Sequence, residues 1–173
     1  MSWSSFTNED LNVEWSRKIH ELVNNQYHTK ITGVALLLQP GYCVASYGDL
    51  RDSFHSLRED NSIILANNTD NSFFISKEAK TLFEVLESVV FSFTQTSNNL
   101  VGWKPILFQQ EKYIIVKATE CSCLAITKNR KKGLVLSQLA QGLLLVTHFK
   151  SPSVPNIVYC QVELFADNFR KIQ

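Results

Sequence analysis

Along the first part of the chain the apolar residues Leu11, Trp15, Ile19, Leu22 and Val23 recur at short, mostly three- and four-residue steps. That period is helical, so an amphipathic helix is expected from Asn8 to Asn25, with Thr7 and Asn8 as capping residues and Glu9 and Asp10 in its first turn. The period then changes. Ile31 to Leu38 is a run of mostly branched residues, Gln39-Pro40-Gly41 is a turn signal, and Tyr42 to Tyr47 is a second short apolar run. Together they predict a β-hairpin. From Gly48 to Ser72 the chain turns to Asp, Asn, Ser, Arg and Glu, broken by Ile63-Ile64-Leu65-Ala66, which predicts an inserted polar loop over about 49–72. Ser76 stands where it would cap a second helix, whose apolar face is Ala79, Leu82, Phe83, Leu86, Val89, Val90 and Phe93 and which ends near Thr94 to Asn99.

After Gly102 five extended segments follow closely: Ile106 to Gln109, Tyr113 to Lys117, Cys121 to Thr127, Leu134 to Ser137 and Leu143 to Phe149. Such crowding predicts an antiparallel meander. Lys150 to Asn156 holds two prolines and a serine-rich turn, after which Val158, Val162, Phe165, Phe169 and Ile172 step by four and three as a terminal helix. Helix, two strands, helix, a run of strands and a last helix make one α+β domain over residues 1–173, whose sheet needs helices to cover its apolar faces. The chain shows no internal repeat and no linker.

Composition narrows the function classes. With 173 residues, 45% hydrophobic, the chain is expected to bury roughly two thirds of its unfolded surface in one core. Six Gly, four Pro and 11% aromatic residues exclude a collagen-like or disordered chain. Seventeen basic residues against 16 acidic ones leave a net charge of +1, so no overall field draws the protein to nucleic acid or to an acidic membrane. Any such binding is expected to be local, and nucleic acid is not an expected partner. The opening MSWSSFTNEDLNVEWSRK lacks the apolar run of a secretory signal. The longest apolar stretches, Val34 to Leu38 and Leu143 to Val146, fall far short of the ~20 residues of a membrane span. A cytoplasmic location is expected, with Cys43, Cys121, Cys123 and Cys160 as reduced thiols and Asn67-Asn68-Thr69 as a polar loop rather than a glycan site.

Candidate chemistry is sparse. The chain has no nucleophile elbow, phosphate-binding loop or paired metal-ligand motif, and Cys121-Ser122-Cys123 lacks the two further ligands of a closed zinc site. His20, His28, His55 and His148 form no pair in sequence. No catalytic residue, metal or cofactor is expected, and the protein reads as a binding protein rather than an enzyme. Two features suit binding. Lys128, Arg130, Lys131 and Lys132 place four cations in five residues at a strand-to-strand turn, suited to an acidic protein surface or to phosphoinositide headgroups. Trp3 and Phe6 precede the helical period, and stacked rings are the usual seat of a polyproline helix.

The opening Met1-Ser2-Trp3-Ser4-Ser5-Phe6 is similar to the Ser-Trp-x-x-Tyr start common in profilins. Lys112 to Ala118, Gly133 to Val135, Leu144 to Phe149 and Val162 to Phe169 resemble consecutive profilin segments in the same order. The likeness covers about residues 1–6, 30–48 and 73–173. It implies a profilin-like central antiparallel β-sheet with the N- and C-terminal helices on one face and a further helix on the other. It also implies a cytoplasmic, cytoskeletal monomer that regulates filament assembly by binding monomeric actin, through mass action rather than turnover. The implied actin-facing residues are Tyr113, Ile115, Lys117, Thr127, Asn156, Tyr159 and Glu163, with Cys160 where many profilins carry a lysine. The implied polyproline site is Trp3, Phe6 and Phe169. Weakened binding of proline-rich proteins is expected there, because Val44 stands in place of a second Trp, Asn168 in place of a ring, and the chain stops at Gln173 without the usual terminal Tyr. The alternative is a profilin-like module that binds phosphoinositides or another protein without actin.

Overall fold

A computed structural model describes residues 8–24, 30–51, 53–54, 64–65, 74–95 and 103–170. Helix α1 (Asn8–Val23) leads into β1 (Ile31–Leu38) and β2 (Tyr42–Gly48). A short pair, β3 (Ile64–Leu65) with β4 (Phe74–Ile75), precedes α2 (Lys77–Gln95). Strands β5 (Ile106–Phe108), β6 (Glu111–Ala118), β7 (Ser122–Thr127), β8 (Lys132–Gln138) and β9 (Leu143–Lys150) follow, and α3 (Pro155–Arg170) closes the chain. The long strands form one seven-stranded sheet in the order β2-β1-β9-β8-β7-β6-β5, antiparallel throughout. The meander read from the sequence is β5 to β9, and the hairpin joins it where β1 pairs with β9.

Both faces of the sheet are covered, which explains why β1, β8 and β9 read as continuous apolar runs instead of alternating ones. On one face Trp15, Ile19 and Leu22 of α1 and Val158, Tyr159, Val162 and Ala166 of α3 pack with Val34, Leu36, Leu124, Val135 and Leu145. On the other, Ala79, Leu82, Leu86 and Val89 of α2 pack with Ala35, Leu37, Leu134, Leu136, Leu144 and Val146. This is the layering that the resemblance implied. The second helix starts where its cap was expected: Ser76 Oγ accepts the Ala79 N–H at 3.3 Å. Among the described residues no helix is long and apolar enough to cross a membrane.

The polar stretch expected as a loop over 49–72 is not solvated at its base. Leu50 and Phe54 are buried in the α2-side core, where the Phe54 ring lies 6.1 Å from that of Phe108. Gln109, left-handed in the β5–β6 turn, donates its backbone N–H to Glu78 Oε1 at 2.9 Å, while its side-chain amide donates to Ser53 Oγ at 2.5 Å. Two apolar residues spaced four apart among charged neighbours were enough to anchor the segment. Asp52, 55–63 and 66–73 lie outside the described residues, as do His28, His55 and Ile172.

Candidate functional site

The strand β6 decides which of the expected actin-facing residues share a surface. Side chains alternate along a strand, so Tyr113, Ile115 and Lys117 would ordinarily share one face. A bulge between Ile115 and Lys117 breaks that alternation: Ile115 pairs with Ala125 on the α2 side, while Lys117 pairs with Leu124 on the α3 side. Tyr113, 1% exposed, and its cross-strand partner Thr127, 4% exposed, are therefore interior residues and present no surface to a partner. Ile115 is half-buried and packs toward α2. This corrects the expectation that these three stand at a contact face with Lys117.

The α3 side does assemble the others. Lys117 Nζ lies 4.9 Å from the centroid of the Tyr159 ring, a cation–π contact at an exposed lysine. Tyr159 is itself almost fully buried, and its hydroxyl shares a 2.6 Å hydrogen bond with Ser122 Oγ, which shares another of 2.8 Å with Thr119 Oγ1. Burial, the largest influence, pushes the Tyr159 phenol above its ordinary value despite these hydrogen bonds. Glu163 is committed internally. It accepts the Ser137 hydroxyl at 2.7 Å and both arms of the Arg170 guanidinium at 2.8 and 3.1 Å, while Arg170 Nε donates to the Gln138 carbonyl at 2.8 Å. Glu163 thus clamps α3 to β8 instead of offering a free carboxylate. Asn156 is exposed in the first turn of α3.

Sequence reasoning missed exposed apolar residues on both elements. Ile114 and Val116 of β6 and Val154 and Ile157 at the start of α3 are all exposed. Ile114 lies opposite Ile126, which packs against the α3-side core. The alternation of β6 held the signal, since Ile114 sits between residues that both point inward.

Trp3 and Phe6 lie outside the described residues. Phe169 joins a ring cluster between α1 and α3, its centroid 5.0 Å from Trp15 and 4.9 Å from Phe165, with Lys18 Nζ 4.9 Å from both the Trp15 and Phe169 rings. The open groove of about 640 Å³ farther along these two helices is lined mainly by Leu22, Ile157, Cys160, Leu164 and Phe165, so its walls are more aliphatic than aromatic.

At the other end of the sheet the basic turn is well organised. Asn129 Oδ1 accepts the Thr127 hydroxyl at 2.6 Å and the Lys131 N–H at 3.0 Å, and Arg130 is left-handed at φ 60°. Lys128, Arg130 and Lys131 are exposed, without ion pairs among the described residues. Lys132 differs: its ammonium is paired with Glu111. The fold adds Lys150, the cross-strand partner of Lys132, and Lys112, which shares a shallow hollow with Lys128. Both were invisible as members of the patch because they come from distant strand ends.

A buried polar chain crosses the α2-side core. His148 is 1% exposed, with Nε2 3.1 Å from Tyr113 Oη and Nδ1 2.8 Å from Asp49 Oδ2 and 2.9 Å from Thr32 Oγ1. The Thr32 hydroxyl donates to the His148 carbonyl at 3.2 Å, so the Nδ1 proton goes to Asp49 and Nε2 accepts from Tyr113. Burial works to raise the Asp49 carboxyl, but His148, aided by Thr32 and Lys150, holds it below the usual carboxylate range. No nucleophile adjoins this chain among the described residues. Of the thiols, Cys43 and Cys123 are pushed up to about 12 by burial, and the described residues hold no group of three or more His, Cys, Asp or Glu that could bind a metal.

No protein-family model matches the chain, and no curated sequence matches it. Solved structures do. LokiProfilin2 in its complex with rabbit actin is 15% identical, with 92% of this chain and 98% of that chain covered at a TM-score of 0.59. LokiProfilin1, also in complex with rabbit actin, is 17% identical over 91% and 94% of the two chains at 0.57. Schizosaccharomyces pombe profilin is 15% identical over 89% and 94% at 0.57. At these identities the likeness is one of fold: the chain has a profilin-like α+β fold.

Proposed function

We propose that this protein binds monomeric actin and regulates filament assembly by occupying one face of the monomer, as a cytoplasmic, cytoskeletal binding protein that carries no catalytic step. The observation that carries the reading is the coincidence of two things. The fold is that of proteins solved in complex with rabbit actin. On the α3 side of its sheet, Lys117 of β6 lies over the ring of Tyr159 of α3, and exposed apolar residues flank it on β6 (Ile114 and Val116) and stand at the start of α3 (Val154 and Ile157) beside exposed Asn156. Within the expected site, Lys117 and Asn156 make contact, Tyr159 positions Lys117 through its ring, and Glu163 holds α3 in place. Tyr113, Ile115 and Thr127 act only by shaping β6 and β7.

The test is the rate of spontaneous actin polymerisation, followed by fluorescence as the protein is added, beside a direct titration of monomer. Dose-dependent slowing with saturable binding is expected. Lys117→Glu should weaken that binding about tenfold, because it converts an attraction to acidic actin into a repulsion and removes the cation over Tyr159. An unchanged affinity would remove Lys117 from the interface. Binding of proline-rich segments through Trp3, Phe6 and Phe169 is proposed to be weak, since the Phe169 ring packs against Trp15 and Phe165 with Lys18 over it, and the open groove farther along the two helices presents one ring, Phe165.

One observation favours a second reading of the basic turn. Lys112 and Lys150 join Lys128, Arg130 and Lys131 at one end of the sheet, which makes a patch suited to phosphoinositide headgroups. Co-sedimentation with vesicles containing phosphatidylinositol bisphosphate should then fall steeply with salt and be lost in Lys128→Glu/Lys131→Glu. Sedimentation that survives both would end that reading.

A further inference from the structure

We propose that the open edge of β2 is a docking site for an extended, acidic peptide segment of a partner protein, which adds to the sheet as an eighth strand. This surface is separate from the actin-facing one, which lies at the β6 end of the sheet.

Among the described residues β2 pairs only with β1, so one side of its backbone is uncovered. The Asp49 N–H donates to Thr32 O on β1 at 3.0 Å. Because peptide groups alternate in direction along a strand, Tyr47 also faces β1, and the N–H groups of Ser46 and Gly48 and the carbonyl of Ser46 face outward. The Gly48 carbonyl is taken by the Arg51 N–H at 3.1 Å. The edge therefore presents two donors and one acceptor in a row. Edge strands are ordinarily blunted by lysine, proline or inward-pointing charge. Tyr42-Cys43-Val44-Ala45-Ser46-Tyr47-Gly48 has no charged residue and no proline, and its one bulge, at Val44, lies before the open stretch. The hydrogen bond from the Ser76 N–H to Gly41 O at 3.3 Å places the end of β4 at the start of β2, away from Ser46 and Gly48.

A groove of about 590 Å³ runs along this edge, between Ser16 of α1, the strand from Val44 to Gly48, and Arg51. Arg51 is exposed and its guanidinium has no hydrogen bond or ion pair among the described residues. The surplus of donors and this unpaired cation both call for an occupant rich in acceptors. An extended segment whose backbone pairs with Ser46 and Gly48 and whose carboxylate reaches Arg51 satisfies them together. A second copy of the chain fits less well. Two β2 strands paired antiparallel about Ser46 would set Arg51 opposite Gly41, with no counter-charge.

The test uses the full chain and a fluorescein-labelled peptide of about six alternating Thr and Val residues with two Glu at one end, beside a counterpart ending in two Lys. Anisotropy should show saturable binding of the acidic peptide, at least about fivefold tighter than the basic one. Arg51→Glu should reverse that order. Ser46→Pro should weaken both peptides about tenfold, since it removes an outward N–H, and with it the hydroxyl that donates to the Arg51 carbonyl at 3.3 Å, without touching the β1 ladder. Amide exchange should slow at Ser46 and Gly48 when the acidic peptide is bound. Equal binding of the two peptides, an order that Arg51→Glu leaves unchanged, or no binding up to about 1 mM would each overturn the proposal. A chain that is dimeric in sedimentation and becomes monomeric in Ser46→Pro would overturn it in favour of a second copy. Because the actin titration uses neither β2 nor Arg51, either result can fail without the other.

Discussion

Gly133→Ala is expected to destabilise the fold by about 3 kcal/mol, lowering the thermal midpoint by about 10 °C. Gly133 on β8 lies opposite Phe149 on β9, and the aromatic ring lies across the space where a side chain would project. A Cβ at Gly133 would come within 2.1 Å of Phe149 Cζ and 2.5 and 2.7 Å of the two Cε atoms, far inside van der Waals contact. The ring cannot swing away cheaply, because Phe149 is 2% exposed and packs in the core that holds α1 and α3. The penalty belongs to the pair, so it should shrink in the background of Phe149→Leu; a double-mutant cycle by chemical denaturation reads that coupling directly. If Gly133→Ala costs less than about 1 kcal/mol, the ring does not fill this space in solution.

The same pair shows why fold and site were unequally legible in the sequence. Hydrophobic period and turn residues are local, and they located α1, the β1–β2 hairpin, α2, the meander and α3 with boundaries near those observed. The first helix stops at Val23 rather than Asn25, and β7 begins at Ser122 rather than Cys121. What the pattern could not carry is cross-strand geometry. The bulge after Ile115 turns Lys117 to the face opposite Tyr113, and no residue type at that position announces it. Glu163 reads as an exposed helical carboxylate until Arg170, two turns on, and Ser137, from another strand, close around it. Leu50 and Phe54 went unremarked in the stretch expected as a polar loop, because a segment with two anchors has no period to detect. Lys112 and Lys150 belong with the basic turn only once β6 and β9 are laid beside β7 and β8.

His148 was the least legible residue of all: one imidazole in an apolar strand, and the point where β1, β6, β9 and the segment after β2 are joined. His148→Ala is expected to cost about 3 kcal/mol at neutral pH, since it leaves a cavity and strips the Tyr113 hydroxyl and the Asp49 carboxylate of their shared partner. Asp49→Asn isolates the charge, with a loss of about 2 kcal/mol at pH 7. Its pH dependence has a definite sign. The folded Asp49 carboxyl lies below its unfolded value of about 3.9, so its contribution is fully present above that value and is lost as the pH falls through the folded one. The gap between wild type and Asp49→Asn should therefore be widest near neutrality and close in acid. Tyr113 supplies the opposite arm: burial first, then the nearby Glu111, Asp49 and Glu78 carboxylates, raise its phenol. Its contribution is complete below about pH 10 and lost above, and Tyr113→Phe should flatten that alkaline decline. Denaturant unfolding of the three variants across pH measures both arms. A gap for Asp49→Asn that stays constant from pH 7 to about pH 3 would mean that shape, not charge, holds the segment after β2 against the sheet.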